Sequence, residues 1–258
     1  MGKAVDVKER QTSIANFILT NGFVTVDELM EKFAISRMTV HRDLDDLERA
    51  QLIQKVRNGA SAQPSNIFES DFAYRERVNI HEKEEICKLA ATFLHDGMSI
   101  FLDDSTTVMP LIQYFRKLKS LTVITACLPA IIAITQIPEI TLIILGGLYK
   151  HKYRSSYGYF SVSAINRIHA DITILSPHSY KTGSIFEYEQ EVISTKRAMM
   201  DNSEKSMILM DNSKFKQTTL YLLAKINEFD HVIIDSEVPE VYIRDLRSQA
   251  KDLQIAKV

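Results

Sequence analysis

At 258 residues the chain has room for one or two domains, and its 45% hydrophobic content is enough for a full core. A formal net charge of −2 excludes a general attraction to nucleic acid or acidic lipid, so any such binding has to come from a local patch. Cys87 and Cys127 stand at no metal-ligand spacing, no N-terminal apolar signal region is present, and no apolar run reaches membrane-spanning length. These features predict a cytoplasmic protein without a metal, a cofactor or a membrane partner.

The first element is a helix within residues 8–21, with Ile14, Phe17 and Ile18 on its apolar side. Thr25 followed by Glu28 fits a capping box, so a second helix starts at Val26 and carries Leu29, Met30 and Phe33 inward. Ser36 is placed to cap a third. Along that helix Val40, Leu44 and Leu47 fall on one face and Met38, His41, Arg42, Asp45 and Arg49 on the other. Two short helices joined by a tight turn, the second with cations on its outer face, have the layout of a helix-turn-helix that enters the major groove of DNA. Alternation around Asn58-Gly59, a dipeptide that favours tight turns, predicts a hairpin wing.

The candidate DNA contacts are Ser36, Arg37, Met38, Thr39, His41 and Arg42, with Lys55 and Arg57 of the wing on phosphates. Arg37, Met38, His41 and Arg42 lie nearest the bases, and Thr39 serves the cap or a phosphate. A plain helical bundle shows the same geometry. Residues 1–62 hold nine Lys plus Arg against nine Asp plus Glu, so the segment lacks an overall basic footprint. Its charges are ordered all the same, with Arg37, Arg42, Lys55 and Arg57 on the helix start and wing.

Residues 61–66 read as a linker, 72–81 as a charged helix and 82–95 as an amphipathic one bearing Ile86, Leu89, Ala90 and Phe93. Short β-rich runs then alternate with helical patterns. The predicted strands are 99–103, 121–125, 141–145, 171–175, 206–210, 231–235 and 254–258. Such alternation predicts an α/β domain with a largely parallel sheet. The apolar run 121–145 divides into strand, helix and strand, and reads as buried core. The expected division is 1–62 for a winged helix-turn-helix, 63–80 for a linker and connecting helix, and 81–258 for the α/β domain.

Ligands on parallel sheets bind beyond the carboxyl ends of the strands. Four polar groups stand there. Asp103-Asp104-Ser105-Thr106-Thr107 leaves a strand and opens a helix over 108–115, where hydroxyls and free N–H groups suit an anion. Thr125-Ala126-Cys127 follows the next strand. Gly146-Gly147 permits close backbone approach. Asp211-Asn212-Ser213-Lys214-Phe215 brings a point charge, with Glu191 and Lys196 on the preceding helix. Each group taken singly is as well explained by a cap, a turn or a solvated lysine.

Ser36 through Leu44, followed by Asn58-Gly59-Ala60, resembles the signature of DeoR/GlpR-type bacterial transcription regulators. The resemblance runs the length of the chain: Phe101 through Thr107 is similar to the family's Asp-x-Gly-Thr-Thr loop, Thr122 through Ala126 to its Thr-Val-Ile-Thr-Asn strand end, and Leu145-Gly146-Gly147 with Ser155-Ser156-Tyr157-Gly158 to its glycine pair and downstream Ser-x-x-Gly. The helix from Glu191 to Lys196 and Asp211 through Phe215 match further motifs. The resemblance implies a sensor domain folded like ribose-5-phosphate isomerase that binds a phosphorylated sugar or related metabolite. By it, Thr106 and Thr107 hold the phosphate, and Asp103, Gly147, Asp211 and Lys214 line the pocket. The full candidate set adds Ser105, Gly146 and Lys196.

The chain departs from the family pattern at several positions. Ser105 replaces a Gly, Ala126 an Asn, and His41 one of two adjacent Arg residues, while Ser176-Pro177-His178 stands in place of a glycine-containing loop. The expected function is a DNA-binding repressor of carbohydrate genes, acting as a homo-oligomer on a double-stranded operator under control of a phosphorylated sugar. An alternative is a sugar-phosphate isomerase-like enzyme with an N-terminal interaction module.

Overall fold

The computed structural model describes residues 7–21, 23–50, 52–56, 58–61, 72–215 and 219–258. The chain divides into two compact units, Met1–Tyr74 and Arg75–Val258. In the first, α1 (Val7–Asn21), β1 (Phe23–Thr25), α2 (Val26–Phe33), α3 (Arg37–Arg49), β2 (Gln54–Val56) and β3 (Gly59–Ser61) follow in order. The capping box forms as expected: Glu28 N–H donates to Thr25 Oγ1, and Thr25 N–H to Glu28 Oε2 at 2.7 Å. Ala34 ends α2 in the left-handed region, and Ser36 Oγ accepts from the Thr39 N–H at 3.2 Å to start α3. Ile14, Ile18, Leu29, Val40, Leu44 and Leu47 close one apolar core, as their spacing requires.

Two features of this unit depart from the sequence reading. The wing has three strands in the order β1-β3-β2, because Phe23-Val24-Thr25 is too short a run to signal a strand by itself. Within the hairpin Val56 pairs with Gly59, so Gly59 belongs to the strand rather than to the turn. Asn58 supplies the positive φ of 68°. Arg57 and linker residues 62–66 lie outside the described residues.

The second unit begins in α4 (Phe72–Arg75) and continues with α5 (Ile80–Ala90), β4 (Ser99–Leu102), α6 (Ile112–Phe115), β5 (Thr122–Thr125), α7 (Leu128–Ile134), β6 (Thr141–Ile144), β7 (Leu148–Lys150), β8 (Ser155–Tyr157) and α8 (Tyr159–Ile165). Then come β9 (Ala170–Leu175), β10 (Ser179–Lys181), β11 (Ser184–Glu187), α9 (Gln190–Asp201), β12 (Ser203–Met210), β13 (Tyr221–Lys225), β14 (His231–Asp235), α10 (Glu240–Gln249) and β15 (Leu253–Ala256). All seven expected strands pair in one sheet of order β15-β14-β12-β9-β4-β5-β6, parallel throughout. Helix α5 lies against β12, β14 and β15, and α9 against β9 and β12. From β4 the chain builds outward through β5 and β6, then from β9 outward on the other side. The strand order therefore reverses between β4 and β9, which is where parallel sheets place ligands.

Three expectations are corrected. Residues 72–81 do not form one helix: Asn79 stands at φ 53°, so α4 ends at Arg75 and α5 starts afresh at Ile80. Residues 108–115 form only a 3-10 turn and the four-residue α6. The run 121–145 is not wholly core. Edge strand β6 leaves Ile143 and Ile144 exposed, as are Ile132, Leu148, Tyr159 and Phe160 on other elements. The hairpin β7-β8 and the antiparallel sheet β10-β11-β13 were not expected, because their short, polar-interrupted runs lack the apolar stretch that marks a buried parallel strand.

Candidate functional site

In the first unit the N-terminal half of α3 presents Met38, His41 and Arg42 to solvent, Met38 with 81% of its surface free. Arg42 and Met38 have no hydrogen-bond or ion-pair partner among the described residues, so both are available to a groove. Arg37 is paired with Asp27, but both are exposed and such a pair is easily exchanged for a phosphate. Ser36 and Thr39 bond each other at 2.9 Å and serve the cap. Lys55 is drawn back onto α3: its ammonium meets Asp45, and its N–H donates to Glu48 at 2.7 Å. Sequence reasoning missed Asp43. It lies buried on the inward face of α3, where Arg10 and Gln11 hold it at 2.7–3.1 Å.

In the second unit the loop after β4 sits at the reversal point. Asp103 accepts from the N–H groups of Ser105 and Ser176, both at 2.9 Å, and so ties the ends of β4 and β9 together. Lys196 is buried and donates to Ser176 O at 2.6 Å and to Glu187 at 2.5 Å, with Asp103 at 3.4 Å. Burial works against its charge, but Glu187, Asp103 and Asp104 outweigh that and hold its pKa above the usual lysine value. Its ammonium is engaged by these protein groups, so it organises the loop. Burial, reinforced by Asp103, pushes the carboxyl of Asp104 up, and Tyr157 donates its hydroxyl there.

On the other flank of the loop, Thr107 Oγ1 donates to Asp211 at 3.1 Å and Thr106 Oγ1 accepts from Lys83 at 3.1 Å. Asp211 is ionised despite its burial, because Lys214 and Lys83 outweigh desolvation. Lys214 Nζ stands 3.9 Å from Asp211 and has no other partner among the described residues. Ser105 Oγ is buried without a hydrogen-bond partner among the described residues, an orphaned hydroxyl where the family pattern has no side chain. A cavity of about 290 Å³ opens beside Thr106 and Lys83, also lined by Glu76, Ile80, Met109 and Gln113. A second space of about 10 Å³, large enough for one water, lies between Asp103, Asp104, Tyr157 and Lys196.

Two parts of the sequence argument change here. A helix-terminus anion site after Thr107 is not formed, since a one-turn α6 carries too few aligned peptides. The charge at this flank comes from lysines. The space beside Gly147 is filled by protein: a Cβ there would lie 2.4 Å from Ser161 Oγ and 2.5 Å from Tyr157 O, whereas nothing lies within 4 Å at Gly146. Lys83 was missed. It falls with Ile86, Cys87 and Ala90 on the buried stripe of α5, and a lysine on an apolar stripe was the available signal.

A winged helix-turn-helix followed by a parallel α/β domain with a cation-lined loop at its reversal point defines a class of proteins, the DNA-reading regulators with a sensor domain. Residues 10–66 match the family model described as a DeoR-like helix-turn-helix domain, and residues 78–236 that of the DeoR C terminal sensor domain. The chain belongs to the DeoR family of transcriptional regulators.

It is 30% identical to the L-fucose operon activator of Haemophilus influenzae, over 90% of this chain and 93% of that one. It is 27% identical to the glycerol-3-phosphate regulon repressor of Escherichia coli, over 90% and 92%. With the transcriptional repressor GlcR of Bacillus subtilis it shares 28%, over 88% of each chain. Among solved structures, ribose 5-phosphate isomerase A of Methanocaldococcus jannaschii aligns with 53% of this chain and 55% of its own at a TM-score of 0.39 and 19% identity, too distant to bear on function. No helix among the described residues is long and apolar enough to cross a membrane.

Proposed function

We propose that this chain is a cytoplasmic repressor of carbohydrate-metabolism genes, released from its operator by a phosphorylated sugar or related metabolite. The observation that carries the reading is the meeting of Lys83, Lys214, Thr106, Thr107 and the orphaned Ser105 hydroxyl around one loop at the sheet's reversal point. A dianionic phosphate seated there finds two ammonium groups and hydroxyl donors in a desolvated setting, where such bonds are strongest. Two relatives named for glycerol-3-phosphate and L-fucose support the ligand class.

DNA is read by α3, with Met38, His41 and Arg42 on base edges, Arg37 exchanging Asp27 for a phosphate, and the wing lying along the backbone. Two heads on one repeat require a homo-oligomer, and the exposed apolar edge at Ile143, Ile144 and Leu148 suits a second copy. A thermal-shift screen of phosphorylated sugars, sugar acids and polyol phosphates tests the sensor. A ligand that binds only the native state raises the melting temperature by mass action. The shift is expected to be lost in Lys214→Ala, and an equal shift in both proteins removes Lys214 from the site.

A further inference from the structure

The first residues of the sensor unit are held by the same residues that surround the proposed phosphate. Lys83 donates to Thr106 Oγ1 on one side and to the carbonyl of Arg75 on the other. That carbonyl also accepts from the N–H of Val78 at 3.4 Å, a long and weak turn bond. Four residues on, Asn79 Nδ2 donates to Asp211 Oδ1 at 3.0 Å and approaches Asn212 Oδ1 at 3.4 Å. Asn79 takes φ 53°, and its carbonyl accepts from the N–H of Lys83 at 3.0 Å. Glu76 and Ile80 of this segment line the cavity beside Thr106. Residues 75–80 are therefore pinned at two points, both on loops at the carboxyl ends of β4 and β12, and they are the first residues of the sensor unit after the chain leaves the DNA-binding unit.

We propose that Lys83 and Asn79 are positioning residues that transmit the effector signal: a phosphate seated on the Thr106 loop locks the connector 75–80 onto the sensor domain, and its departure loosens it. This rests on the effector reading above and adds the route by which binding is felt outside the pocket. An ammonium has three protons. Two are used, on Thr106 and Arg75, and the third remains for an anion without release of either. A bound anion also favours the charged form of a lysine whose burial disfavours it, which strengthens the bond to Arg75. On the second pin, a phosphate drawing Lys214 away from Asp211 leaves that carboxylate more dependent on Asn79 and Thr107. Both pins tighten together, so the ligand has the differential contact with two states that a switch requires.

The test is hydrogen–deuterium exchange on the full chain with and without inorganic phosphate, against chloride at equal ionic strength. In the wild type, phosphate is expected to slow exchange in residues 103–107 and, by about tenfold, in 76–82, the factor that about 1.4 kcal/mol provides. Asn79→Gly keeps the left-handed turn and deletes the amide. It should keep the slowing at 103–107 and lose it at 76–82, and Asn79→Asp, which tolerates the same backbone, should do likewise. Slowing at 103–107 with no change at 76–82 in the wild type overturns the transmission route while leaving the site standing. Equal slowing of 76–82 in wild type and both variants overturns it as well. No slowing at 103–107 rejects the effector site, and the route with it.

Discussion

Lys83 shows how one buried group links folding, ligand affinity and pH. Burial pushes its pKa down to about 8, opposed by Asp211 and Cys87 and aided by Lys214 and Arg75. In the unfolded chain the group titrates near 10.5. Between these values the unfolded state binds more protons than the native one, so this residue's contribution to stability rises with pH across that window. Anion binding runs the other way, because it needs the ammonium. The melting-temperature rise given by inorganic phosphate should hold from pH 7 to 8 and decline at pH 9, and Lys83→Met should show a smaller rise without that decline. A rise that is the same at all three pH values would take Lys83 out of the site. Arg42 is the simpler case, a cation without a partner among the described residues on the outward face of a well-capped helix.

At the scale of elements, α3 is anchored on its inner side by an ion pair as well as by apolar packing. Asp43 is almost fully buried, and its loss leaves the Arg10 guanidinium unpaired and the Gln11 amide with only its bond to Asp46. Asp43→Ala should cost the DNA-binding unit about 2 kcal/mol in chemical denaturation, within the range for removing a buried charged hydrogen-bond partner. A change under about 0.5 kcal/mol, ordinary for a surface site, would show the pair to be dispensable.

The elements that could be read in advance were those with a strong local signal, apolar runs for the buried parallel strands and caps with helical spacing for the helices. The seven parallel strands, the capping box at Thr25 and the alternation of Val40, Leu44 and Leu47 all reach the structure as expected. Asp43 carries no local signal of its burial, because its spacing gives no warning that Arg10, 33 residues earlier, will meet it. The break at Asn79 escaped notice because a left-handed asparagine inside a charged stretch looks like any helical residue until Asp211, 132 positions later, takes its amide. Non-local partners of this kind set much of the candidate site, and local pattern does not encode them.

Across the whole molecule, the proposed oligomer needs a surface that joins two heads. Strand β6 is an edge without a single charge, and it carries the exposed Ile143 and Ile144. An unprotected apolar edge of this sort calls for cover. Ile144→Asp should reduce the oligomer seen by sedimentation while leaving the monomer folded, and an unchanged sedimentation coefficient would move the interface elsewhere. The most direct test of the regulator reading is equilibrium binding of the full chain to a duplex selected from a random pool, followed through a salt series with and without a stabilising sugar phosphate. The account predicts tight binding that weakens steeply with salt, falls on addition of the ligand, and is lost in Arg42→Ala, while Lys214→Ala binds DNA normally and ignores the ligand. Binding that is indifferent to salt and to Arg42, or a ligand effect that survives Lys214→Ala, would contradict it.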